Sequence, residues 1–355
     1  ESTASDTIEI ALPCGARVRV LGEVSVVDDA DMRITHVIRG DDHVNNTPRQ
    51  INIFRALGET PPAYAHLPMI HGPDGTKLSK RHGAVNVLEY REMGFLPQAM
   101  LNYIARLGWS YGDQEIFTID ELIRYFDLDR VSRSAASFDP MKLLWVNQQH
   151  LMRTPVEQIA PLLEEQLRRQ GLDPRNGPPL ELTIEALRER SQTIVEMAER
   201  AHCYYEEFEA FDEKAARTHL TAAARDVLVA LKEALAGVSE WSEAATEAAV
   251  KGVAERLGLK LGKVAQPLRV VLTGQAASPG IGVTLVLVGR DRAAKRIERA
   301  IEYIEQRIAT GPHEGQKVFT LQTLPAEPEA PRREVAESSG FSLHAGIAAK
   351  ASQRD

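Results

Sequence analysis

Cysteine is almost missing from this chain: Cys14 and Cys203 are the only two among 355 residues. Two thiols cannot build a disulfide framework or a four-ligand zinc centre, so both read as ordinary thiols. Long apolar runs are missing too, since nothing approaches the roughly eighteen uninterrupted apolar residues of a membrane-spanning helix. The opening Glu1-Ser2-Thr3-Ala4-Ser5-Asp6 lacks the basic segment of a secretion signal. These absences point to a cytoplasmic protein with no membrane partner. Positive charge is short overall as well: the formal net charge is -8, and no DNA partner is expected.

What is present suits folded domains. Hydrophobic residues make up 43% of a chain whose length exceeds what one core usually organises, so more than one domain is expected. One stretch reverses the charge. Residues 255–308 hold ten basic side chains (Arg256, Lys260, Lys263, Arg269, Arg290, Arg292, Lys295, Arg296, Arg299, Arg307) against five acidic ones. Such an excess is either a phosphate-facing patch or a solvated face.

The chain reads first as strand, helix, strand. Ile34-Thr35-His36-Val37-Ile38 predicts a buried strand ending at Arg39-Gly40. A helix follows, with Thr47 as N-cap, Pro48 at its first position, Ile51, Phe54 and Leu57 as apolar stripe and Gly58 as stop. A second strand is expected around 65–70. That order is half of a parallel α/β sheet, in which ligands lie beyond the carboxyl ends of the strands, where both 39–43 and 70–81 fall. Beyond them the pattern is helical. Pro97 to Leu107 and a capping box at Thr118-Ile119-Asp120-Glu121 lead into a bundle from Pro155 to Leu257, interrupted at Gly171 to Pro174 and Asn176 to Pro179. Tyr103, Trp109 and Trp145 sit among Leu and Ile at helical spacing and read as core rather than stacking platforms.

Chemistry concentrates in two short segments. Lys77-Leu78-Ser79-Lys80-Arg81 follows Gly72-Pro73-Asp74-Gly75-Thr76 and precedes His82-Gly83, while Val37-Ile38-Arg39-Gly40-Asp41-Asp42-His43 lies upstream. Two ammonium groups and a guanidinium on a short loop suit a triphosphate, because phosphoryl chemistry is mostly positioning and charge stabilisation. A solvated basic turn is the plain alternative. Asp41, Asp42 and His43 do not make a metal site, since adjacent residues rarely converge on one ion. Ser79 has only His82 near it and reads as a loop hydroxyl rather than a nucleophile.

From Val26 to His150 the chain resembles bacterial glutamyl-tRNA synthetase, a class I aminoacyl-tRNA synthetase. The likeness runs through Val26-Val27-Asp28-Asp29, Asn45-Asn46-Thr47-Pro48-Arg49-Gln50, Leu101-Asn102-Tyr103, Leu107-Gly108-Trp109-Ser110, Gln114-Glu115-Ile116-Phe117 and Lys142-Leu143-Leu144-Trp145. It continues more weakly to about Arg307, through Gly262-Lys263 and Pro267-Leu268-Arg269-Val270. The resemblance implies a chain that is mainly α with an incomplete α/β part. In that scheme 1–25 is unmatched, 26–76 is the second half of a Rossmann-type catalytic domain, and 77–150 is the Lys-Leu-Ser-Lys-Arg loop with a helical stem-contact domain. Residues 151–309 are an all-helical anticodon-binding bundle and 310–355 a tail of foreign origin. Helical periodicity in 155–257 favours the glutamyl branch, because the related glutaminyl enzymes carry β-barrels there.

By the same resemblance, Lys80 stabilises charge on the triphosphate during adenylation, with Lys77 and Arg81 as helpers and Leu78 and Ser79 completing the ATP-binding loop. Asp42 and Ile70 fall at ATP contacts, and Arg39 at a glutamate contact, where its planar donors suit a carboxylate. The plain alternatives are a structural ion pair of Arg39 with Asp41 or Asp42, and helix capping by Asp42. The implied reaction joins L-glutamate to ATP, with magnesium accompanying the ATP, and passes the glutamyl group to a glutamate-accepting tRNA.

The chain also departs from the family. A His-Ile-Gly-His-like ATP element and the acceptor-stem insertion are not found, and Leu21 stands where the family has a substrate-contacting Tyr. Three readings stay open: a glutamate-tRNA ligase by descent that needs a polypeptide supplying the other half of the site, a non-catalytic tRNA-binding module, or a chimeric fragment without selected function. The tail around Gly340-Phe341-Ser342-Leu343-His344-Ala345-Gly346 resembles a piece of an insertion-element transposase. A Pro/Glu/Ala-rich tail unable to bury enough apolar area is the alternative there.

Overall fold

The computed structural model describes residues 7–11, 17–21, 24–79 and 86–310. The expected foreign tail, 310–355, lies outside them apart from its first residue. The chain divides into two compact units, the first drawn from Glu1–Val87 and Pro97–Val146, the second from Leu88–Leu96 and Asn147–Asp355.

The first unit opens on two strands, β1 (Thr7–Ala11) and β2 (Arg17–Leu21), paired antiparallel with Thr7 opposite Leu21. Helix α1 (Val24–Asp31), strand β3 (His36–Gly40), a 3-10 turn over Asp41–Asn46, helix α2 (Thr47–Leu57) and strand β4 (Ala63–Leu67) follow. As expected, the two strands flanking the helix are parallel, with Arg39 beside His66 and Gly40 beside Leu67.

Two expectations need correction. β3 is not buried: Ile38 is 42% exposed. Among the described residues β3 pairs only with β4, and a parallel strand is buried only where both faces of its sheet are covered. Nor is Thr47 the cap of α2. Asn46 holds that position without a side-chain bond, because the Thr47 hydroxyl is drawn to His66 Nε2 at 3.0 Å and to Arg39. The stop is as read, with Gly58 at φ 78° and its N–H returning to the Phe54 and Arg55 carbonyls.

Helix α3 (Val87–Glu92) precedes α4 (Pro97–Gly108), α5 (Ile119–Tyr125) and α6 (Pro140–Arg153). The capping box is complete: Thr118 accepts from the Glu121 N–H at 3.2 Å, and Glu121 accepts from the Thr118 N–H at 2.8 Å. Buried Asn102 on α4 ties down the segment before α5, donating to the Glu115 carbonyl and accepting from the Phe117 N–H. Tyr103 packs edge-on against Phe138, while Trp109 packs edge-on against Phe117. Trp145 does not join them. It is 36% exposed, with the Lys142 ammonium 4.1 Å from its ring centre and the same ammonium 3.1 Å from Glu115. The expected core tryptophan is a surface ring holding a cation, because helical spacing does not say which face is covered.

The second unit is a helical bundle. It comprises α7 (Val156–Arg169), α8 (Leu180–Leu187), α9 (Ile194–Tyr205), α10 (Glu213–His219), α11 (Ala222–Ala236), α12 (Glu243–Arg256), α13 (Leu261–Thr273), α14 (Ile281–Val288) and α15 (Arg290–Thr310). On α7, Ile159, Leu163 and Leu167 repeat every four residues and are fully buried, which gives the amphipathic stripe that packs on α8 and α9. Where α14 crosses α12, Gly282 is required: a Cβ there would lie 2.7 Å from the Glu243 carbonyl oxygen.

One charged side chain lies in the middle of this apolar bundle. Arg296 on α15 is 1% exposed and donates to the Cys203 carbonyl at 2.8 Å, the Glu206 carbonyl at 3.2 Å, the Leu272 carbonyl and the Glu207 carboxylate at 3.0 Å. One turn earlier Arg292 donates to the Tyr204 and Asn176 carbonyls, and one turn later Arg299 donates to the Phe208 carbonyl. The last carbonyls of α9 and α13 have no partner within their own helices, and the guanidiniums supply donors and the charge that a helix C-terminus favours. Burial there pushes the Cys203 thiol up to about 12, which leaves it protonated at neutral pH.

Arg296→Ala is therefore expected to cost about 3–5 kcal/mol, since it leaves the Cys203, Glu206 and Leu272 carbonyls without their donor while Glu207 keeps only its Arg292 partner, and Arg296→Lys is expected to recover only part of it. Urea denaturation of the whole chain, followed by far-UV circular dichroism, measures both. His150, 5% exposed on α6, gives a pH prediction: burial first, and the Arg153 charge second, push its imidazole down to about 4. The unfolded chain then takes up a proton that the folded chain refuses. Stability is expected to fall as pH drops from about 6.5 towards 4, by up to about 3 kcal/mol, with His150→Gln flattening that limb of the profile.

Candidate functional site

The site begins where β3 ends. Gly40 has ordinary extended backbone, but a Cβ on it would lie 2.6 Å from Asp42 Oδ1, so only glycine lets the Asp42 side chain fold back over the strand end. Asp42 is then presented to the second segment. Its Oδ2 meets Lys77 Nζ at 3.4 Å, and its Oδ1 lies 3.9 Å from His43 Nε2.

Lys77 reaches that place through a tight turn. The Gly72 N–H donates to the Thr76 carbonyl at 2.8 Å, the Gly75 N–H returns to Gly72 at 3.0 Å, and Asp74 accepts from both the N–H and hydroxyl of Thr76. Gly75 sits at φ 77°, a conformation that glycine adopts without strain. The Leu78 N–H then donates to the Ile70 carbonyl at 2.8 Å, which closes the turn and fixes Ile70 beside the base of the loop. Lys80 and Arg81 lie outside the described residues. Leu78 and Ser79 are half-buried.

Arg39 makes no ion pair with Asp41 or Asp42. Its Nη2 donates to Gln50 Oε1 at 2.7 Å and to Thr47 Oγ1 at 2.9 Å, its Nε lies 3.5 Å from His66 Nε2, and its guanidinium stands 5.3 Å from the centre of the Tyr64 ring. Sequence reading did not mark Gln50, His66 or Tyr64. Thr47 and Gln50 share a helix face by their spacing, but His66 comes to Arg39 only through the register of β3 on β4. The structure thus joins Asp42 to Lys77 directly and sets Arg39 three residues away, at the same strand end.

The second unit holds a cavity of about 300 Å³ lined by Arg190, Arg200, Tyr204, Phe208, Gln275 and Ser278, among others. Arg269 donates to Ser278 at 2.9 Å, and its pKa is lowered, by burial first and by the Arg190 charge second. The basic stretch 255–308 is less of a surface than its count suggests. Arg269, Arg290, Arg292, Arg296 and Arg299 all donate to backbone carbonyls within the bundle. Arg256, Lys260, Lys263, Lys295 and Arg307 are the exposed ones.

Residues 24–145 match the family of class I tRNA synthetases (E and Q), catalytic domain, and residues 155–301 match the anticodon binding domain family. Those two matches define a class I aminoacyl-tRNA synthetase chain. Glutamate-tRNA ligase 1 of Alkalilimnicola ehrlichii is 51% identical over 284 residues, 80% of this chain and 60% of that protein. Glutamate-tRNA ligase 1 of Coxiella burnetii is 53% identical over 281 residues, 79% of this chain and 60% of that protein. A crystal structure of a glutamate tRNA ligase from Elizabethkingia meningosepticum, in complex with its amino acid, superposes with a TM-score of 0.70 at 27% identity, covering 84% of this chain and 67% of that one. The chain belongs to the glutamate-tRNA ligase family. It spans about 60% of the length of the curated relatives it matches.

Proposed function

We propose that this chain carries part of a glutamate-tRNA ligase: it takes part in activating L-glutamate with ATP, releasing pyrophosphate, and in passing the glutamyl group to tRNA. The observation that carries this reading is the 3.4 Å approach of Lys77 Nζ to Asp42, which brings the basic loop to the strand end where Arg39 stands. Arg39 takes a carboxylate of glutamate, and Asp42 and the Ile70 backbone contact ATP. Lys77, Leu78, Ser79, Lys80 and Arg81 close on the triphosphate, and Lys80 opposes the charge that grows as the phosphoryl bond breaks. Magnesium enters with the ATP. No group of three or more His, Cys, Asp or Glu able to hold a metal exists among the described residues, so the ion would ride on the phosphates, with at most Asp42 beside it.

The boundaries follow the chemistry. Residues 26–76 form the second half of the catalytic domain, 77–150 the loop and stem-contact part, and 151–309 the anticodon-binding part. The cavity beside Arg190 and Arg269 has the volume and, in Arg190, Arg200, Gln275 and Ser278, the polar groups to take an unstacked base. A second reading, a tRNA-binding module without catalysis, is favoured by that cavity together with the five exposed cations of 255–308.

Pyrophosphate exchange with glutamate, ATP and tRNA tests the first reading, run on the chain alone and with a polypeptide added to supply the rest of a relative's catalytic domain. Lys80→Ala is expected to cut the exchange rate by about 100-fold or more while the melting curve stays as in wild type. An unchanged rate in an active preparation would remove Lys80 from the chemistry. Gly40→Ala is expected to push Asp42 off Lys77, lowering ATP affinity several-fold in equilibrium dialysis at a stability cost of about 1 kcal/mol. Salt-dependent tRNA affinity with no exchange in any combination would favour the binding module.

A further inference from the structure

We propose that Gln50, supported by Thr47 and His66, is a positioning residue that forms an uncharged cradle for Arg39 and keeps its positive charge available to a substrate carboxylate. The assignment rests on the reading of Arg39 as the glutamate contact. Its ground is the chemistry of the partners. An amide oxygen, a hydroxyl and an imidazole nitrogen hold the Nη2 and Nε side of the guanidinium, and none of them carries negative charge. Gln50 is 7% exposed, so the shortest of these contacts, 2.7 Å, is sheltered from water.

Part-buried arginines ordinarily meet a carboxylate, and two are close in sequence. Asp42 is instead engaged by Lys77, and no carboxylate among the described residues lies within ion-pair distance of Arg39. Nη1 has no hydrogen-bond partner among those residues, so one arm of the fork is fixed while the other is open. The cradle also calls for one tautomer of His66. Its Nε2 faces a guanidinium N–H at 3.5 Å and the Thr47 hydroxyl at 3.0 Å, and a ring hydrogen on Nδ1 is the arrangement that lets it accept from both. The cradle comes from two elements: Thr47 and Gln50 from one face of the first turn of α2, and His66 from the β4 position registered against Arg39.

The cradle predicts opposite orders for binding and for stability. Gln50→Glu is isosteric and sets a carboxylate against Nη2, giving the arginine an internal counter-ion. Binding of labelled L-glutamate to the whole chain, measured by equilibrium dialysis, is expected to weaken at least tenfold in Gln50→Glu and less in Gln50→Ala. Gln50→Glu is expected to melt at or above the wild-type temperature and Gln50→Ala below it. ATP binding should stay within about twofold in both. A loss of packing alone would place the alanine variant last on every measure. If Gln50→Glu binds glutamate as wild type does, or better than Gln50→Ala, the cradle is wrong and the role of Arg39 stands. If glutamate binds wild type, alone or with the polypeptide that supplies the rest of a relative's catalytic domain, and binds Arg39→Met equally well, the substrate reading falls and takes the cradle with it. Nitrogen-15 NMR of the wild-type imidazoles gives a test independent of any variant: a His66 ring protonated on Nε2 would overturn the proposal.

Discussion

Parallel pairing of β3 and β4 is the constraint on which the chemistry of the first unit depends. Parallel strands leave the sheet at the same end, so the turn after Gly40 and the loop after Leu67 emerge side by side. Everything assembled there follows from that direction. Asp42 and Lys77, thirty-five positions apart, come within 3.4 Å. The same pairing puts His66 next to Arg39, with its Nε2 3.5 Å from the guanidinium Nε. An antiparallel pairing of these two strands would send their exits to opposite ends and dissolve both contacts.

In the second unit the organising interaction is different in kind. Each helix end leaves carbonyls without partners, and a bundle that stops helices inside its core must satisfy them there. Arg292, Arg296 and Arg299 do this from successive turns of α15, reaching the ends of α9 and α13 and the segment after α9. Three of the ten basic residues that suggest a nucleic-acid surface are thereby part of the scaffold, and Arg269 and Arg290 are committed in the same way. The exposed remainder is a smaller and more scattered set. Charge counted along a sequence overstates charge offered to a partner whenever arginines serve as caps.

Much of the architecture was legible in the residues. The strand, helix, strand order, the glycine stop at Gly58, the capping box at Thr118 and the long helical run all follow from local rules that act within a few positions. The antiparallel pair β1 and β2 was equally legible, through the alternation of Ile8-Glu9-Ile10 and Arg17-Val18-Arg19-Val20, and reading missed it for want of a match in 1–25. The errors share a cause. Thr47 has the right residue type for a cap and lost the role to a tertiary partner, and Trp145 has core spacing but lies on an uncovered face. Of the candidate site, Arg39, Asp42 and Lys77 lie in the two short motifs and Ile70 is singled out by the family resemblance alone, whereas the groups that hold Arg39 were not singled out.

By itself the sequence determined which segments are helices and strands, where the basic loop sits, and which side chains are chemically able to grip a carboxylate or a phosphate. Those properties are set by neighbours within one or two turns of chain. Tertiary structure alone decided how each charge is used: Arg39 held by uncharged acceptors, Asp42 paired to a lysine, Arg296 sealed among carbonyls. The reason is geometric, because a side chain's worth depends on what faces it, and those faces are supplied by strand register and helix packing that no local pattern encodes.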